Sequence, residues 1–206
     1  MTKEQKIRIL KKNVQIKPDT YKALDMLDCK IGIEIGVRKA GNLFNLSQNP
    51  KFRGGILYGL DCWSEDPEKP EINDVGFTQQ DLDNQYWGCV AKFSSNPFVK
   101  IVRNFSYEGS LDFPDEYFDF IYIDAAHDYD SMVEDINVWW PKLKPGGIFS
   151  GHDYIPDTRI WRGKKCEVYR AVNEFAEKNS TQVHHITDVE KEGGPGVACT
   201  SFFIVK

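Results

Sequence analysis

Apolar positions along the chain follow two periods, the repeat of about 3.6 residues that is typical of helices and the two-residue repeat of strands. Segments 3–12 and 19–27 have the spacing of short amphipathic helices, and Pro18 with Asp19 is a start signal for the second. Apolar runs typical of buried strands then alternate with helix-like stretches. The strands are expected at 30–36, 55–61, 99–104, 118–124 and 147–153, and the longer helices at 79–93, 129–143 and 167–179. This alternation predicts a mostly parallel sheet with helices on both faces, and the closely spaced runs 181–187 and 197–206 should pair antiparallel.

Two irregular segments interrupt this pattern. The first, Trp63 to Phe77, is rich in proline and acidic residues, and the second runs from Tyr154 to Lys165. Long loops that carry aromatic residues are typical of a lid and of a platform for a sugar ring, although these aromatics can also simply pack the loops onto the domain. Basic residues of the second segment can contact an acidic acceptor or be solvated: Arg159, Arg162, Lys164 and Lys165.

Composition limits the class of protein. The chain has 206 residues, 41% of them hydrophobic, and a net charge of −5, which predicts one globular domain with a helical cap at 1–29 and a core at 30–206. Lysine and arginine are absent from 104 to 141, which argues against a nucleic-acid partner. Five widely spaced cysteines indicate neither disulfides nor zinc. The N-terminus has scattered charges, so we expect a cytoplasmic protein without a membrane partner.

A glycine turn follows the first predicted strand. The stretch "EIGVRKAGN" at 34–42 contains Gly36 and Gly41 but satisfies neither GxGxxG nor GxxxxGK[ST]. Glu34 would repel a pyrophosphate, but it suits a cationic or hydroxyl-bearing ligand. Asp61, at the end of the second strand, is placed to accept hydrogen bonds from ribose hydroxyls. Together they predict a nucleoside without phosphates, and the alternative is a turn that only ends a strand and opens a helix.

Two aspartates end neighbouring apolar runs. Asp124 and Asp153 are separated by one helix and a PGG turn, which is the size of a single parallel crossover. If the two strands are adjacent, their ends lie only about 5 Å apart. Carboxylates at that distance repel each other unless they share a cation or a proton. Oxygen-rich ligation without cysteine favours magnesium or manganese.

These segments resemble a known family. The glycine turn, then "LYGLDCW", then the block from Phe118 to Tyr154 are similar to class I S-adenosylmethionine-dependent methyltransferases. The specific resemblance is to metal-dependent sugar O-methyltransferases of macrolide and aminocoumarin biosynthesis. It implies a Rossmann-like three-layer sandwich, with a mostly parallel seven-stranded sheet and an antiparallel C-terminal strand. It also implies methyl transfer from S-adenosylmethionine to a hydroxyl of a sugar or glycan.

The resemblance also implies the site residues. Glu34 and the glycine turn would line the methionine end of the cofactor, Asp61 would hold its ribose, and Trp63 could flank the adenine. The full cofactor set is Glu34, Gly36, Gly41, Asn42, Asp61, Trp63, Ser106 and Asp124. The metal set is Asp124, His152 and Asp153. His152 stands where the family usually has an acid, so manganese, or a set that uses Asp153 without His152, also fits.

His127 is the candidate general base. Methyl transfer to a hydroxyl releases a proton, and a histidine beside a metal-bound hydroxyl can accept it. The alternative is an ordinary turn histidine. Asp128 or Asp130 can orient the imidazole or cap the next helix. Two other functions stay open at this point: a hydroxylase-like member of the same branch, and a non-catalytic module that binds the cofactor.

Overall fold

A seven-stranded sheet forms the centre of the computed structural model, which describes residues 1–14, 17–65, 76–156, 160–161, 164–188 and 199–206. Its strands are β1 Ile31–Ile35, β2 Ile56–Asp61, β3 Val99–Arg103, β4 Phe118–Ile123, β5 Leu143–Gly151, β8 His184–Asp188 and β9 Cys199–Val205. The sequence predicts a loop for the second irregular segment, but this segment contains two strands of two residues each. β6 Ile160–Trp161 runs antiparallel to β7 Lys164–Lys165.

The strand order is β3-β2-β1-β4-β5-β9-β8. The pairs from β3 to β5 are parallel, and β9 is antiparallel to both of its neighbours. The predicted Rossmann-like fold with an antiparallel C-terminal strand is therefore confirmed. β5 begins four residues earlier than predicted, and its register against β4 shifts between Phe118 and Phe120, so the PGG segment is part of the strand.

Helices cover both faces of this sheet. They are α1 Lys3–Asn13, α2 Thr20–Met26, α3 Gly41–Leu46, α4 Gln79–Phe93, α5 Ser106–Gly109, α6 Tyr129–Trp139 and α7 Val168–Lys178. Local caps explain several starts, because Thr2 and Thr78 form capping boxes and Asp128 accepts from the Ser131 N–H. α6 ends earlier than predicted because the chain turns at Pro141 into β5.

The core lies on the two faces of the central strands. On one face, Leu10, Leu24 and Leu43 bring α1, α2 and α3 against the sheet. On the other, Met132 and Val172 bring α6 and α7 against it. Both faces are therefore closed to water, which explains why β4 is almost continuously apolar.

The strand order reverses between β1 and β4. β1 is followed in the chain by β2 on one side, and β4 by β5 on the other, so the two crossovers leave a crevice at the carboxyl ends of β1 and β4. Ligands of open α/β sheets bind at such a switch point. Among the described residues, no helix is long and apolar enough to span a bilayer.

Candidate functional site

The turn after β1 lies directly against the end of β4. Gly36 has a φ of +89°, and its N–H donates to the Leu60 carbonyl oxygen at 2.9 Å. A Cβ on Gly36 would lie 2.1 Å from the Asp124 carbonyl oxygen, so glycine is required there. Gly41 begins α3, and a Cβ there would meet no atom within 4 Å. Packing therefore explains the first glycine but not the second.

Glu34 carries a buried oxygen that lacks a partner. The side chain is 2% exposed, and its Oε1 accepts from Asn42 Nδ2 at 3.1 Å. Glu34 Oε2 and Asn42 Oδ1 are buried without a hydrogen-bond partner among the described residues. Burial raises the pKa of Glu34 to about 8, although Lys17 acts in the opposite direction. Unsatisfied buried acceptors are costly, so this pair indicates a position for a ligand with N–H or O–H donors.

Asp61 holds the other side of the same turn. Its Oδ2 accepts from the Arg38 N–H at 2.9 Å, and its Oδ1 from the Trp63 N–H at 2.8 Å. Burial raises the pKa of Asp61, and these backbone donors act in the opposite direction. Each carboxylate oxygen accepts more than one hydrogen bond, so Asp61 can still bind ribose hydroxyls.

Asp124 follows β4 and lies between two cationic side chains. Lys17 Nζ donates to its Oδ2 at 2.6 Å, and His127 Nε2 lies 3.7 Å from its Oδ1. Burial raises the pKa of the Asp124 carboxyl, but Lys17 and His127 outweigh burial and hold it well below its usual range. Asp124 is therefore ionised in this arrangement. Lys17 comes from the 3₁₀ turn Lys17–Asp19 between α1 and α2.

Asp153 follows β5 in a conformation that is rare for side-chain-bearing residues. Its φ is +54°, in the left-handed region, which costs backbone energy and often marks functional positions. His127 Nε2 lies 3.1 Å from Asp153 Oδ2, an ion-pair contact without hydrogen-bond alignment, and His152 Nδ1 lies 3.4 Å from the same oxygen. Burial raises the pKa of Asp153, but the two histidines outweigh it and lower the pKa overall.

The two carboxylates hold a proton on His127. Burial lowers the pKa of the imidazole, but Asp124 and Asp153 outweigh burial and raise it to about 10. His127 is therefore an imidazolium at neutral pH as long as both carboxylates face it. Its ring lies beside Asp124 and Asp153 at the strand ends, and its role as a base stays a prediction.

Asp124, His152 and Asp153 form a group suited to a metal ion. Each offers one ligand atom, and these atoms lie within 4.8 Å of one another. His152 Nε2 is buried and has no hydrogen-bond partner in the described part of the chain. Two carboxylates suit magnesium or manganese, and an imidazole in the set favours manganese over magnesium. The predicted metal residues thus converge, with Lys17 as an additional cation that the sequence did not indicate.

Two predicted cofactor residues have structural partners instead. Trp63 is 1% exposed, its Nε1 donates to the Arg38 carbonyl at 2.9 Å, and its ring lies 5.2 Å from Tyr86. Ser106 Oγ donates to Asp135 and accepts from Trp139 Nε1 at 2.8 Å. Their cofactor roles stay predictions, but these contacts favour packing.

The predicted lid and platform fall largely outside the described residues. In the first segment, residues 66–75 are not described. In the second segment, residues 157–159 and 162–163, among them Arg159 and Arg162, are not described, nor are the side chains of Trp161 and Lys164. Tyr154 is 6% exposed, and its hydroxyl donates to Asn173 at 3.0 Å, so it packs onto α7. Asp128 caps α6, as one of the two alternatives for it predicted.

The fold and the crevice define a Rossmann-like α/β protein. The sequence profile of a family described as a methyltransferase domain matches residues 33–154, which is more than half of the chain. The chain belongs to this family, and the prediction of a methyltransferase is confirmed. No curated protein matches the chain at a significant level.

Solved structures of methyltransferases share the fold at low identity. An O-methyltransferase from Bacillus cereus in complex with S-adenosylhomocysteine is 14% identical, with a TM-score of 0.63 over 98% of this chain and 91% of that one. The O-methyltransferase TomG from Streptomyces achromogenes, involved in tomaymycin synthesis and solved with S-adenosylmethionine, is 13% identical, with a TM-score of 0.60 over 92% and 79%. A SAM-dependent methyltransferase from Aquifex aeolicus is 15% identical, with a TM-score of 0.59 over 97% of both chains.

Proposed function

We propose that this methyltransferase uses S-adenosylmethionine to methylate a hydroxyl of a sugar or glycan, with a divalent ion at Asp124, His152 and Asp153. The observation that carries the cofactor assignment is a pair of buried acceptors without a partner in the described part of the chain, Glu34 Oε2 and Asn42 Oδ1. The methionine ammonium has three N–H donors for these two acceptors, and its positive charge lowers the pKa of Glu34, so that the carboxylate accepts in the complex. Asp61, at the next strand end, accepts from the ribose hydroxyls.

His127 is the proposed general base. S-adenosylmethionine supplies an electrophilic methyl group when bound, and a divalent ion lowers the pKa of an acceptor hydroxyl and offsets carboxylate charge. If Asp124 and Asp153 held such an ion, these carboxylates would no longer stabilise a proton on His127. The neutral imidazole then accepts the hydroxyl proton at Nε2, the atom that lies 3.1 Å from Asp153.

The acceptor class rests on the resemblance of the block from Phe118 to Tyr154 to sugar O-methyltransferases. A site rich in carboxylates and imidazoles is consistent with it, because sugar hydroxyls donate readily to both groups. The block itself contains no phosphate-binding fingerprint, and its lysine and arginine residues are limited to Lys142 and Lys144. This favours a neutral, hydroxylated small molecule as the acceptor.

Product analysis tests this function. The protein is incubated with S-adenosylmethionine and Mn²⁺ or Mg²⁺, with methyl glycosides of common hexoses and deoxyhexoses in one series and catechol in another. We expect a mass increase of one methylene on a sugar, together with S-adenosylhomocysteine, and loss of both products in excess chelator.

Each other outcome removes one part of the proposal. Methylated catechol without methylated sugar would remove the acceptor class, and undiminished turnover in chelator would remove the metal. Oxygen consumption with a hydroxylated product would favour the hydroxylase alternative. Cofactor binding without product from any acceptor would favour the non-catalytic module.

A further inference from the structure

Lys17 joins the N-terminal helices to the strand ends that form the site. Its Nζ donates to Asp124 Oδ2 at 2.6 Å across 107 positions of sequence. Only 14% of the Lys17 side chain is exposed, and the ammonium lies 5.5 Å from the centre of the Tyr122 ring. Burial of a lysine ammonium costs free energy, because the charge is better hydrated in solvent. The fold alone does not require this buried position for Lys17.

The contact uses an oxygen of a proposed metal ligand. Asp124 Oδ2 faces Lys17, and Asp124 Oδ1 faces His127 at 3.7 Å. A divalent ion on Asp124 would therefore lie within a few ångströms of an ammonium that has little access to water. Like charges at this separation in a buried site repel each other strongly, so each cation weakens the contact of the other with the carboxylate.

We propose that Lys17 is a positioning residue that competes with the divalent ion for Asp124. Without the ion, Lys17 neutralises Asp124 and fastens the turn between α1 and α2 to the end of β4. When the ion binds, it displaces the ammonium and loosens α2. This inference rests on the proposed function, because it concerns the same metal ligands.

Metal affinity in the absence of substrate tests this competition. Binding of Mn²⁺ is measured by electron paramagnetic resonance of the unbound ion for the wild type, Lys17→Met and Lys17→Arg. We expect Lys17→Met to bind Mn²⁺ at least about tenfold more tightly than the wild type, and Lys17→Arg, which keeps the charge, to bind no more tightly. Equal or weaker binding by Lys17→Met would overturn the proposal.

The matched control is Lys22→Met in the same pair of helices. Lys22 also forms a lysine–aspartate ion pair, at 2.7 Å from Asp19, but its side chain is 54% exposed and does not contact a metal ligand. Its replacement should leave the Mn²⁺ affinity unchanged, and a shift as large as that of Lys17→Met would overturn a specific role for Lys17. If circular dichroism shows that Lys17→Met does not fold, Lys17→Gln, which keeps a donor without charge, replaces it under the same expectation.

Hydrogen exchange gives a second readout that needs no variant. Adding Mn²⁺ to the wild type should raise amide exchange in Thr20–Met26, and unchanged or slower exchange there would contradict the displacement. The proposed function fails separately: methyl transfer by the wild type with no change of Mn²⁺ affinity in Lys17→Met overturns only the role of Lys17. Tighter Mn²⁺ binding in Lys17→Met without methyl transfer to any acceptor overturns only the proposed function.

Discussion

The crevice between β1 and β4 and the partly buried aromatic cluster beside β4 differ in whether their polar atoms have hydrogen-bond partners. In the cluster of Tyr58, Phe113, Tyr117, Phe118 and Trp139, the Tyr58 and Tyr117 hydroxyls pair at 3.1 Å, and Trp139 Nε1 donates to Ser106 Oγ. In the crevice, Glu34, Asn42 and His152 each keep a buried atom without a partner among the described residues. Most buried polar atoms of a folded protein have partners, so the concentration of unsatisfied atoms in the crevice indicates a binding site.

The largest effect is expected when a side chain beside the crevice is replaced, and it should appear as a loss of turnover. Replacing His127 with Ala removes the proposed base at the strand ends, and we expect turnover to fall by about 10²–10⁴-fold. The affinity for S-adenosylmethionine should change little, because its proposed contacts lie at Glu34, Asn42 and Asp61. Turnover is measured as S-adenosylhomocysteine formation and affinity by calorimetry. His185→Ala, an exposed histidine of β8, is the control, and normal turnover in His127→Ala would contradict the base assignment.

Replacing a residue of the aromatic cluster should instead lower the stability of the protein. Phe118 is fully buried, with ring contacts to Tyr58 and Phe113, so Phe118→Ala should cost about 3–5 kcal/mol of the free energy of unfolding. Urea denaturation measures this loss. Leu111→Ala, at a side chain that is 81% exposed, should stay within about 0.5 kcal/mol of the wild type. A loss below about 1 kcal/mol for Phe118→Ala would show that the cluster can be rearranged freely.

The protein should become more stable when the buried carboxyl of Glu34 in the crevice is replaced by a neutral side chain. The pKa of Glu34 is about 8 when folded, against an ordinary value of 4.5, so the folded state keeps a proton that the unfolded chain releases. Stability therefore falls as pH rises from about 4.5 to 8, and stays reduced above 8. Glu34→Gln should be more stable than the wild type by a few kcal/mol at pH 9, to order of magnitude, and nearly equal at pH 5. Urea denaturation at both pH values measures this, and an equal effect at both would contradict the buried carboxyl.

The control for that change is Glu177→Gln on the exposed surface of α7, which should alter neither value. A gain of stability together with weaker cofactor binding in Glu34→Gln would be the signature of a group kept for function.

The smallest effect is expected at Ser106, which contacts Trp139 of the aromatic cluster. Its hydroxyl bonds to Asp135 and Trp139, so Ser106→Ala should cost about 1 kcal/mol of stability through these lost hydrogen bonds. The dissociation constant for S-adenosylmethionine should remain unchanged. A weakened cofactor affinity at unchanged stability would instead restore the cofactor role that the sequence predicted.

The parts of the site that the sequence could predict lie at strand ends. Glu34, Asp61, Asp124 and Asp153 each follow or end an apolar run, and the alternation of strands and helices places such ends on one edge of a sheet. Local periodicity and crossover length determine both these strand ends and the fold, so both could be predicted from the sequence.

The remaining parts depend on contacts between distant segments. Lys17 precedes a short helix and meets Asp124 only after the N-terminal turn docks, so no local pattern indicates it. Trp63 and Ser106 have polar groups that could equally reach a ligand or a neighbouring helix, and only the packed structure distinguishes these outcomes.

Calorimetric titration with S-adenosylmethionine tests the central claim, that the unsatisfied atoms of the crevice bind the cofactor. The wild type and Glu34→Gln are titrated with and without Mn²⁺. We expect the wild type to bind S-adenosylmethionine even without the ion, and Glu34→Gln to bind it at least about tenfold more weakly, since hydrogen bonds to charged groups contribute about 1.5–3 kcal/mol. Absence of binding by the wild type under either condition, or equal affinity of the two proteins, would contradict the account.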